Sequence, residues 1–238
     1  MINTLNESSL HKTLKELYSL NSPGSKMEVP AGSFIADIVE ADGSVIEIQT
    51  GNLSSLLKKC MFCIENKRKI KIVYPLAVEK YIETRNLKSG KCSKRKSPAK
   101  KNLYSVFREI TGLYPILLNR YFTLEILEVS IIEERTDTGE LQQSRNGLRR
   151  FRKSWNKDGK RINRIGENYL LHGKKSYRKL LPDKTPESFS AKELYNIFIS
   201  EGKKISLDQV HLLIWVYSKA GLIEFIKKEG RSNIYCLT

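Results

Sequence analysis

Two acidic residues and an amide lie on either side of a short turn, where they could hold a metal ion together. Asp37 belongs to the apolar run SFIADIVE, and Glu47 and Gln49 belong to SVIEIQT, which follows after Ala41-Asp42-Gly43. Carboxylate oxygens suit Mg²⁺, and a bound divalent ion can polarise a phosphodiester and lower the pKa of an attacking water. An aspartate inside FIADIV opposes strand propensity, which favours a functional role over that of an ordinary strand-end acid.

The length of the turn decides whether the three side chains share one face of a β-hairpin. In a three-residue loop, with Gly43 left-handed, Asp37 lies directly opposite Glu47 and Gln49 points to the same face. The Cβ atoms of such cross-strand pairs are about 5 Å apart. A two-residue turn, Asp42-Gly43, would instead send Asp37 to the other face. The Ala41-Asp42-Gly43 loop leads us to predict the first register. Because paired carboxylates repel unless a cation lies between them, we also predict a metal site.

The same residues carry a resemblance to a known group of enzymes. GSFIADIV followed by DGSVIEIQTGN resembles the paired motif of the PD-(D/E)xK nuclease superfamily, which has the restriction-endonuclease-like fold. There, an acidic residue on one hairpin strand and an acidic-x-lysine triplet on the next surround a metal. The resemblance covers residues 6–77 and implies an α-β-β-β-α-β core in which Asp37 and Glu47 bind Mg²⁺ or Mn²⁺.

The lysine position of this motif is the one departure from the pattern. Gln49 occupies it, and an amide can orient water but carries no charge and cannot act as a base. Lys58 or Lys59, on the helix that follows, could supply a displaced charge. The superfamily often adds a glutamate from the first helix, and helix geometry selects Glu7, which faces the sheet. His11, one turn later, either contacts phosphate or water or is an ordinary histidine at the core boundary.

The spacing of apolar residues predicts the elements that position this site. They are a helix over Asn6–Leu20, an extended segment over Lys26–Pro30, the hairpin, a helix over Leu53–Asn66 and the strand KIKIVYPLAV. A helix over Leu103–Leu118 and the strand YFTLEILEVSIIEE should return to the same sheet. We therefore expect an α/β domain over residues 1–138, with a basic insertion at 85–101.

The remaining chain divides into a polar stretch and a second patterned segment. Residues 139–185 are basic and weakly patterned, so we interpret them as a connector. In residues 186–238, Ser190 with Glu193 and then Ser206 predict the starts of two helices, and a two-stranded ribbon follows. Helix, helix and ribbon is the order of a winged helix.

The positive charge is concentrated in the middle of the chain. Residues 85–185 hold 25 Lys and Arg against ten Asp and Glu, a net charge of +15 out of +16 for all 238 residues. Basic runs interleaved with Phe151 and Trp155 can neutralise phosphates and stack on bases. The alternative is a solvated basic loop without a partner, whereas a membrane surface would require an amphipathic apolar face that these runs lack. The predicted nucleic-acid contacts are Lys94, Arg95, Lys96, Arg149, Arg150, Arg152 and Lys153.

The C-terminal unit has two alternative roles. Gln209, near the start of its second helix, can pair with adenine. The neighbouring Asp208 would repel phosphate, and residues 186–238 carry a net charge of only +1. DNA contact and a protein–protein contact, such as formation of a homodimer, therefore remain equally good interpretations of this unit.

The sequence lacks the motifs of several other enzyme classes. No Walker loop, dinucleotide GxGxxG, nucleophile elbow or HExxH occurs. Cys60 and Cys63 form a CxxC inside a helical apolar pattern, which favours burial over a zinc or iron–sulfur site. The first residues are polar, and no window approaches 18 apolar residues, so we expect a cytoplasmic protein with no membrane partner.

Together these patterns predict a metal-dependent DNA nuclease. The first alternative is a DNA-binding or regulatory protein that kept the nuclease fold and lost efficient chemistry with the lysine. The second alternative is an RNA-directed or toxin-like protein, since positive charge alone does not distinguish RNA from DNA.

Overall fold

Most helices and strands of the computed structural model follow the periodicity of the apolar residues, and β7 and the segment around α3 are exceptions. The structure describes residues 9–32, 34–144 and 147–238. Its elements are α1 (Ser9–Leu20), β1 (Lys26–Ala31), β2 (Phe34–Val39), β3 (Val45–Ile48), α2 (Leu57–Glu65), β4 (Ile70–Asn86), β5 (Cys92–Lys96), α3 (Val106–Glu109), β6 (Phe122–Gln142), β7 (Lys153–Leu171), α4 (Gly173–Arg178), β8 (Ser188–Ser190), α5 (Ala191–Ser200), α6 (Leu207–Ala220), β9 (Ile223–Glu229) and β10 (Ser232–Leu237). No helix among these is long and apolar enough to cross a membrane.

A large mixed sheet organises the first two thirds of the chain. Its strand order is β1-β2-β3-β4-β6-β7, and β5 pairs with β4. Pairing is parallel between β3 and β4 and between β4 and β6, and antiparallel elsewhere. Helix α1 covers one face through Leu10 and Leu14, while Cys60 and Cys63 of α2 join the core on the other. The chain is therefore of the α/β class, with the predicted order α-β-β-β-α-β at its start.

Three strands continue well beyond the end of β3. The last residue of β3, Ile48, pairs with Val73, whereas β4 runs on to Asn86 beside β6 and β7. We call this extension the arm and define it as residues 78–97, 130–142 and 153–164. The basic insertion predicted at 85–101 includes β5, which forms a hairpin with the end of β4.

The arm changes the domain limits expected from the sequence. The predicted boundary at residue 138 falls inside β6, and the segment interpreted as a connector contains β7, which pairs with β6 along its length. The sheet unit thus extends to Leu171. Most side chains of β7 are at least partly exposed on both faces, so the strand lacks the apolar alternation by which half-buried strands are recognised.

The segment predicted as one helix over Leu103–Leu118 is broken into short turns. Leu103–Ser105 and Thr111–Leu113 are 3-10 turns on either side of α3. A Cβ atom at Gly112 would lie 2.5 Å from the Oγ of Ser54. The chain therefore passes directly against Ser54, in the segment before α2, and the apolar residues around Gly112 reach the core from short turns.

The C-terminal unit contains the two helices and the ribbon predicted from the sequence. Capping boxes at Ser190 and Ser206 begin α5 and α6, which confirms both predicted helix starts. Strands β8, β10 and β9 form a three-stranded sheet in that order. The unit shares its core with the sheet unit, since the rings of Phe107 and Tyr217 meet edge to face at 5.4 Å.

Candidate metal centre

The β2–β3 hairpin has the register of a three-residue loop. Glu40 N–H donates to Ser44 C=O and Gly43 N–H donates to Glu40 C=O, both at 2.9 Å. Gly43 is left-handed, with φ of 84°, as this loop type requires. Ile38 pairs with Ile46, so the next positions along the strands, Asp37 and Glu47, lie opposite each other. The predicted register is confirmed.

Past Ile38, the backbone ladder gives way to bonds with the two carboxylates. The N–H of Asp37 donates to Oε1 of Glu47 at 3.2 Å, and the N–H of Ile48 donates to Oδ2 of Asp37 at 2.8 Å. Each carboxylate thus binds the backbone of the other strand. We call Asp37 and Glu47 the carboxylate pair.

Helix α1 supplies a partner for Asp37. The Nε2 of His11 lies 3.3 Å from Oδ2 of Asp37, with both side chains partly buried. Burial alone would raise the pKa of Asp37, but hydrogen bonds from His11 and from the Ile48 N–H outweigh it and lower that pKa. Asp37 is therefore an anion at neutral pH. His11, which the sequence left between two roles, contacts a carboxylate of the predicted site.

Helix α2 supplies a cation for Glu47. The Nζ of Lys59 donates to Oε2 of Glu47 and to the C=O of Ile35, both at 2.7 Å. Glu47 is only 3% exposed. Burial and the charge of Asp37 raise the pKa of Glu47, and Lys59 opposes them. Of the two lysines suggested as a displaced charge, Lys59 enters the site, while Lys58 is exposed.

Of the other two predicted catalytic residues, Gln49 is bonded to a neighbouring loop and Glu7 stays a prediction. The side-chain amide of Gln49 donates to the C=O of Gly51 at 2.6 Å, which ties it to the loop after β3. Glu7 lies outside the described residues. Within those residues, no three His, Cys, Asp or Glu side chains form a group that could hold a metal ion. Among the described residues, the oxygens available to a metal are those of the two carboxylates. They fit a hard divalent cation in type, and its remaining coordination positions would be taken by water or substrate.

The CxxC cysteines are buried in α2, as predicted. Burial raises the pKa of the Cys60 thiol to about 12. Packing accounts for both cysteines.

The predicted basic contacts cluster around aromatic rings of the arm and the loop at its tip. The Nζ atoms of Lys94 and Lys96 lie 5.1 and 5.8 Å from the centre of the Tyr81 ring. Arg149 and Lys153 lie 4.4 and 5.2 Å from the centre of Trp155. Arg150 lies 5.1 Å from the Phe151 ring, and Arg95 and Arg152 are exposed. The cations are thus grouped on surfaces with aromatic faces.

Gln209, the predicted base contact, has partners inside the protein. Its amide exchanges hydrogen bonds with the side chain of Asn102 at 3.1 and 3.0 Å and donates to Ser105. Its Oε1 also accepts from the N–H of Ser206 at the start of α6. Contact with adenine would require breaking these bonds, so the geometry does not favour it.

The arm also contains a buried acid that was not predicted from the sequence. Glu133 is 5% exposed and accepts hydrogen bonds from Lys80, at 2.8 Å, and from Arg135. Lys157 lies 3.9 Å from the same carboxylate. The signal was the change from apolar to charged residues in SIIEER, at the point where β6 leaves the core.

The family comparison covers the sheet unit. Residues 8–172 match a family model described as "Domain of unknown function (DUF8091)". An uncharacterized protein of Treponema pallidum (strain Nichols) is 30% identical over 196 residues, which are 81% of this chain and 73% of the relative. The matched range ends one residue after β7.

Solved structures match only a short part of the chain. Two are ferric uptake regulators, from Vibrio cholerae at 25% identity and from Pseudomonas aeruginosa at 19%. Each match covers 27% of this chain and about half of the other, with a TM-score of 0.24. Likenesses this partial carry no argument about fold or function.

Proposed function

We propose that this chain, which belongs to the DUF8091 family, is a metal-dependent DNA nuclease of the PD-(D/E)xK type. The observation that carries the proposal is the carboxylate pair, Asp37 and Glu47, at the splayed end of a hairpin with Lys59 beside it. A buried pair of acids with an ammonium group is costly for stability alone, so a function is the better account of it.

The architecture supports the same proposal. The order α-β-β-β-α-β around the hairpin is the one that the resemblance implies. The second unit, with helices α5 and α6 followed by the ribbon of β9 and β10, has the arrangement of a winged helix. We therefore propose a nuclease-like core and a winged helix, and the activity itself rests on the carboxylate pair, because a fold alone does not determine an activity.

The proposed chemistry divides between the metal and the protein. Mg²⁺ or Mn²⁺, when bound, would polarise the scissile phosphate and lower the pKa of the attacking water. Asp37 offers an anionic oxygen held in place by His11 and the Ile48 N–H. Lys59 holds the carboxylate of Glu47 and carries the positive charge that Gln49 lacks, so it takes the place of the motif lysine.

The basic surfaces would hold the substrate. Lysines and arginines of the arm and its tip loop neutralise phosphates and position the backbone without reading sequence. Because Gln209 is bonded to Asn102, the C-terminal unit contributes to this binding less than the arm. A cytoplasmic location, where DNA is accessible, completes the proposal.

One observation favours the first alternative, a DNA-binding protein that does not cut. Lys59 is bonded to Glu47, and Gln49 is bonded to Gly51. A metal ion would therefore have to share Glu47 with an ammonium group. The same arrangement is compatible with an RNA substrate.

Nicking of supercoiled plasmid with Mg²⁺ or Mn²⁺ tests the proposal. Glu47→Gln should reduce nicking by about 100-fold or more, because it removes a charge on which the metal depends. Glu40→Gln, on the same hairpin and bonded to Ser22, is the matched control and should leave nicking unchanged. Wild-type protein that binds DNA but does not nick it with either metal would support the non-cutting alternative.

A further inference from the structure

One face of the arm carries a groove that the proposed chemistry does not use. Its volume is about 1480 Å³, above the range of about 300–1,000 Å³ typical of small-molecule pockets. Its lining residues come from β4, β6, β7 and the loop between β6 and β7, so its size suits a segment of a polymer. The lining residues on which the inference depends are Lys80, Glu133, Arg135, Arg149, Trp155 and Lys157.

Trp155 lies among cations in this groove. The guanidinium carbons of Arg135 and Arg149 lie 3.6 and 4.4 Å from the centre of its ring. Arg149 is also held by a hydrogen bond from Nη1 to the C=O of Trp155 at 3.0 Å. Both guanidinium groups lie against the ring, and aromatic rings and guanidinium groups are the surfaces on which unpaired bases stack.

Glu133 holds the groove cations in place before any ligand arrives. Burial raises the pKa of Glu133, but Lys80 and Arg135 outweigh this effect and bring it to about 2. The acid is therefore charged at neutral pH and fixes both cations. Among the described residues, four cationic side chains and two carboxylates line the groove, which leaves it positive and suited to phosphates.

The groove opens on the face of the sheet that α1 covers. Lys80 pairs with Ile131, whose side chain belongs to the cluster formed with Leu10 and Leu14 of α1. Side chains of residues paired across strands project from the same face. The groove therefore lies on the α1 side of the arm, beyond the first residue of that helix.

The first turn of α1 contacts both the strand beside the groove and the carboxylate pair. Lys160 pairs with Glu133, and its C=O accepts a hydrogen bond from the hydroxyl of Ser9 in α1. Two residues later in α1, a helical rise of about 3 Å, His11 contacts Asp37. A strand leaving the groove beside Lys160 would thus pass along the first turn of α1 on its way to the carboxylate pair.

We propose that this groove binds a single-stranded segment of nucleic acid and leads it to the carboxylate pair. The proposal rests on the proposed function and adds the substrate class. A duplex presents phosphates but keeps its base faces stacked inside, so it could not use the surface around Trp155. An unpaired strand offers phosphates, which the groove cations can neutralise, and base faces, which can stack on Trp155 and its neighbouring guanidinium groups.

Fluorescence of Trp155 tests the groove directly. The chain has two tryptophans, so the full-length Trp215→Phe variant leaves Trp155 as the single reporter. It is titrated in EDTA with a ten-nucleotide oligothymidylate, an oligouridylate and a ten-base-pair duplex. We expect quenching by a single strand of either sugar type, with an affinity at least about tenfold above that of the duplex.

A matched pair of charge reversals localises the binding. In the Trp215→Phe background, Arg149→Glu should weaken single-strand binding about tenfold and reduce the salt slope by about 0.7. Arg231→Glu makes the same charge change on an exposed residue of the β9–β10 turn and should have little effect. Equal losses for both variants, or duplex binding as tight as single-strand binding, would overturn the proposal.

The two proposals fail separately because these titrations contain no metal. If single strands do not quench Trp155 fluorescence but the protein nicks plasmid, single-strand binding in the groove is rejected and the nuclease proposal stands. A Trp155 response without any nicking would retain the groove and reject the nuclease.

Discussion

The ammonium group of Lys59 lies 2.7 Å from a carboxylate oxygen of Glu47, although the two residues belong to a helix and a strand. The pair is nearly closed to water, since 15% of the Lys59 side chain and 4% of that of Glu47 are exposed. Buried ion pairs are sensitive to loss of one partner, because the remaining charge is stranded. Lys59 therefore both supports the hairpin and competes with any metal for Glu47.

Replacing Lys59 should separate these two effects. Lys59→Met should lower the free energy of unfolding by about 3 kcal/mol, because Glu47 is left buried without its cation. Addition of Mn²⁺ should then raise the melting temperature more than in the wild type, since the ion no longer competes with an ammonium group. Lys58→Met is the control, and an exposed lysine should change stability by less than about 0.5 kcal/mol. Equal effects of the two variants would contradict this account.

Asp37 should be required for the response to metal. Mg²⁺ or Mn²⁺ at about 100 times its dissociation constant should stabilise the wild type by about 2.7 kcal/mol, because only the folded state binds it. Asp37→Asn should abolish this rise in scanning calorimetry. Asp42→Asn, at an exposed position of the hairpin loop, should retain it. A metal response that is the same in Asp37→Asn and in the wild type would reject the site.

The arm should make the protein sensitive to acid. Lys80 and Arg135 overcome the effect of burial and hold the pKa of Glu133 at about 2, below its value in the unfolded chain. Its contribution to stability is therefore present above the unfolded pKa and is lost as the pH falls toward 2. Melting temperatures measured between about pH 5 and pH 2 should fall less steeply for Glu133→Gln than for the wild type.

The neighbouring acid provides the control for this pH dependence. Glu134 bonds to Arg161 and is more exposed, so Glu134→Gln should follow the wild-type curve. If both variants follow that curve, Glu133 is not the source of the acid sensitivity.

The shared core should make the two units unfold together. Phe198 is fully buried in the same core cluster as Phe107, so Phe198→Ala should cost about 3–5 kcal/mol. Trp155→Phe leaves Trp215 as a reporter of the C-terminal unit, and Trp215→Phe leaves Trp155 as a reporter of the arm. In Phe198→Ala, both reporters should show the same urea midpoint, shifted downward. Separate midpoints would show that the units unfold independently.

The hairpin register could be predicted because it depends on local rules. Side chains alternate along a strand, and the three-residue loop ending in Gly43 leaves one pairing that puts Asp37 opposite Glu47. The capping boxes at Ser190 and Ser206 were likewise predictable, since each depends on residues three apart.

The partners of these side chains could not be predicted from local rules. Lys58 and Lys59 are neighbours in sequence, and only the packing of α2 on the sheet decides which of them meets Glu47. Strand β7 was missed because solvent reaches both of its faces, so burial imposes no pattern on its residues. The broken segment around Gly112 depends on contact with Ser54, which is distant in sequence.

One strand connects the site to the groove and fixes the distance between them. Val73 of β4 accepts the N–H of Gln49 beside the carboxylate pair, and Lys80 lies seven residues further along the same strand. Because β4 has a bulge between Ala77 and Glu79, this stretch runs beside only six residues of β6, from Glu125 to Ile131, which is a span of about 20 Å. Because strands resist stretching, β4 would keep a constant distance between the groove, which binds an unpaired tail, and the carboxylate pair, where the tail is cut. The fragments released would then share one length, whatever their base sequence.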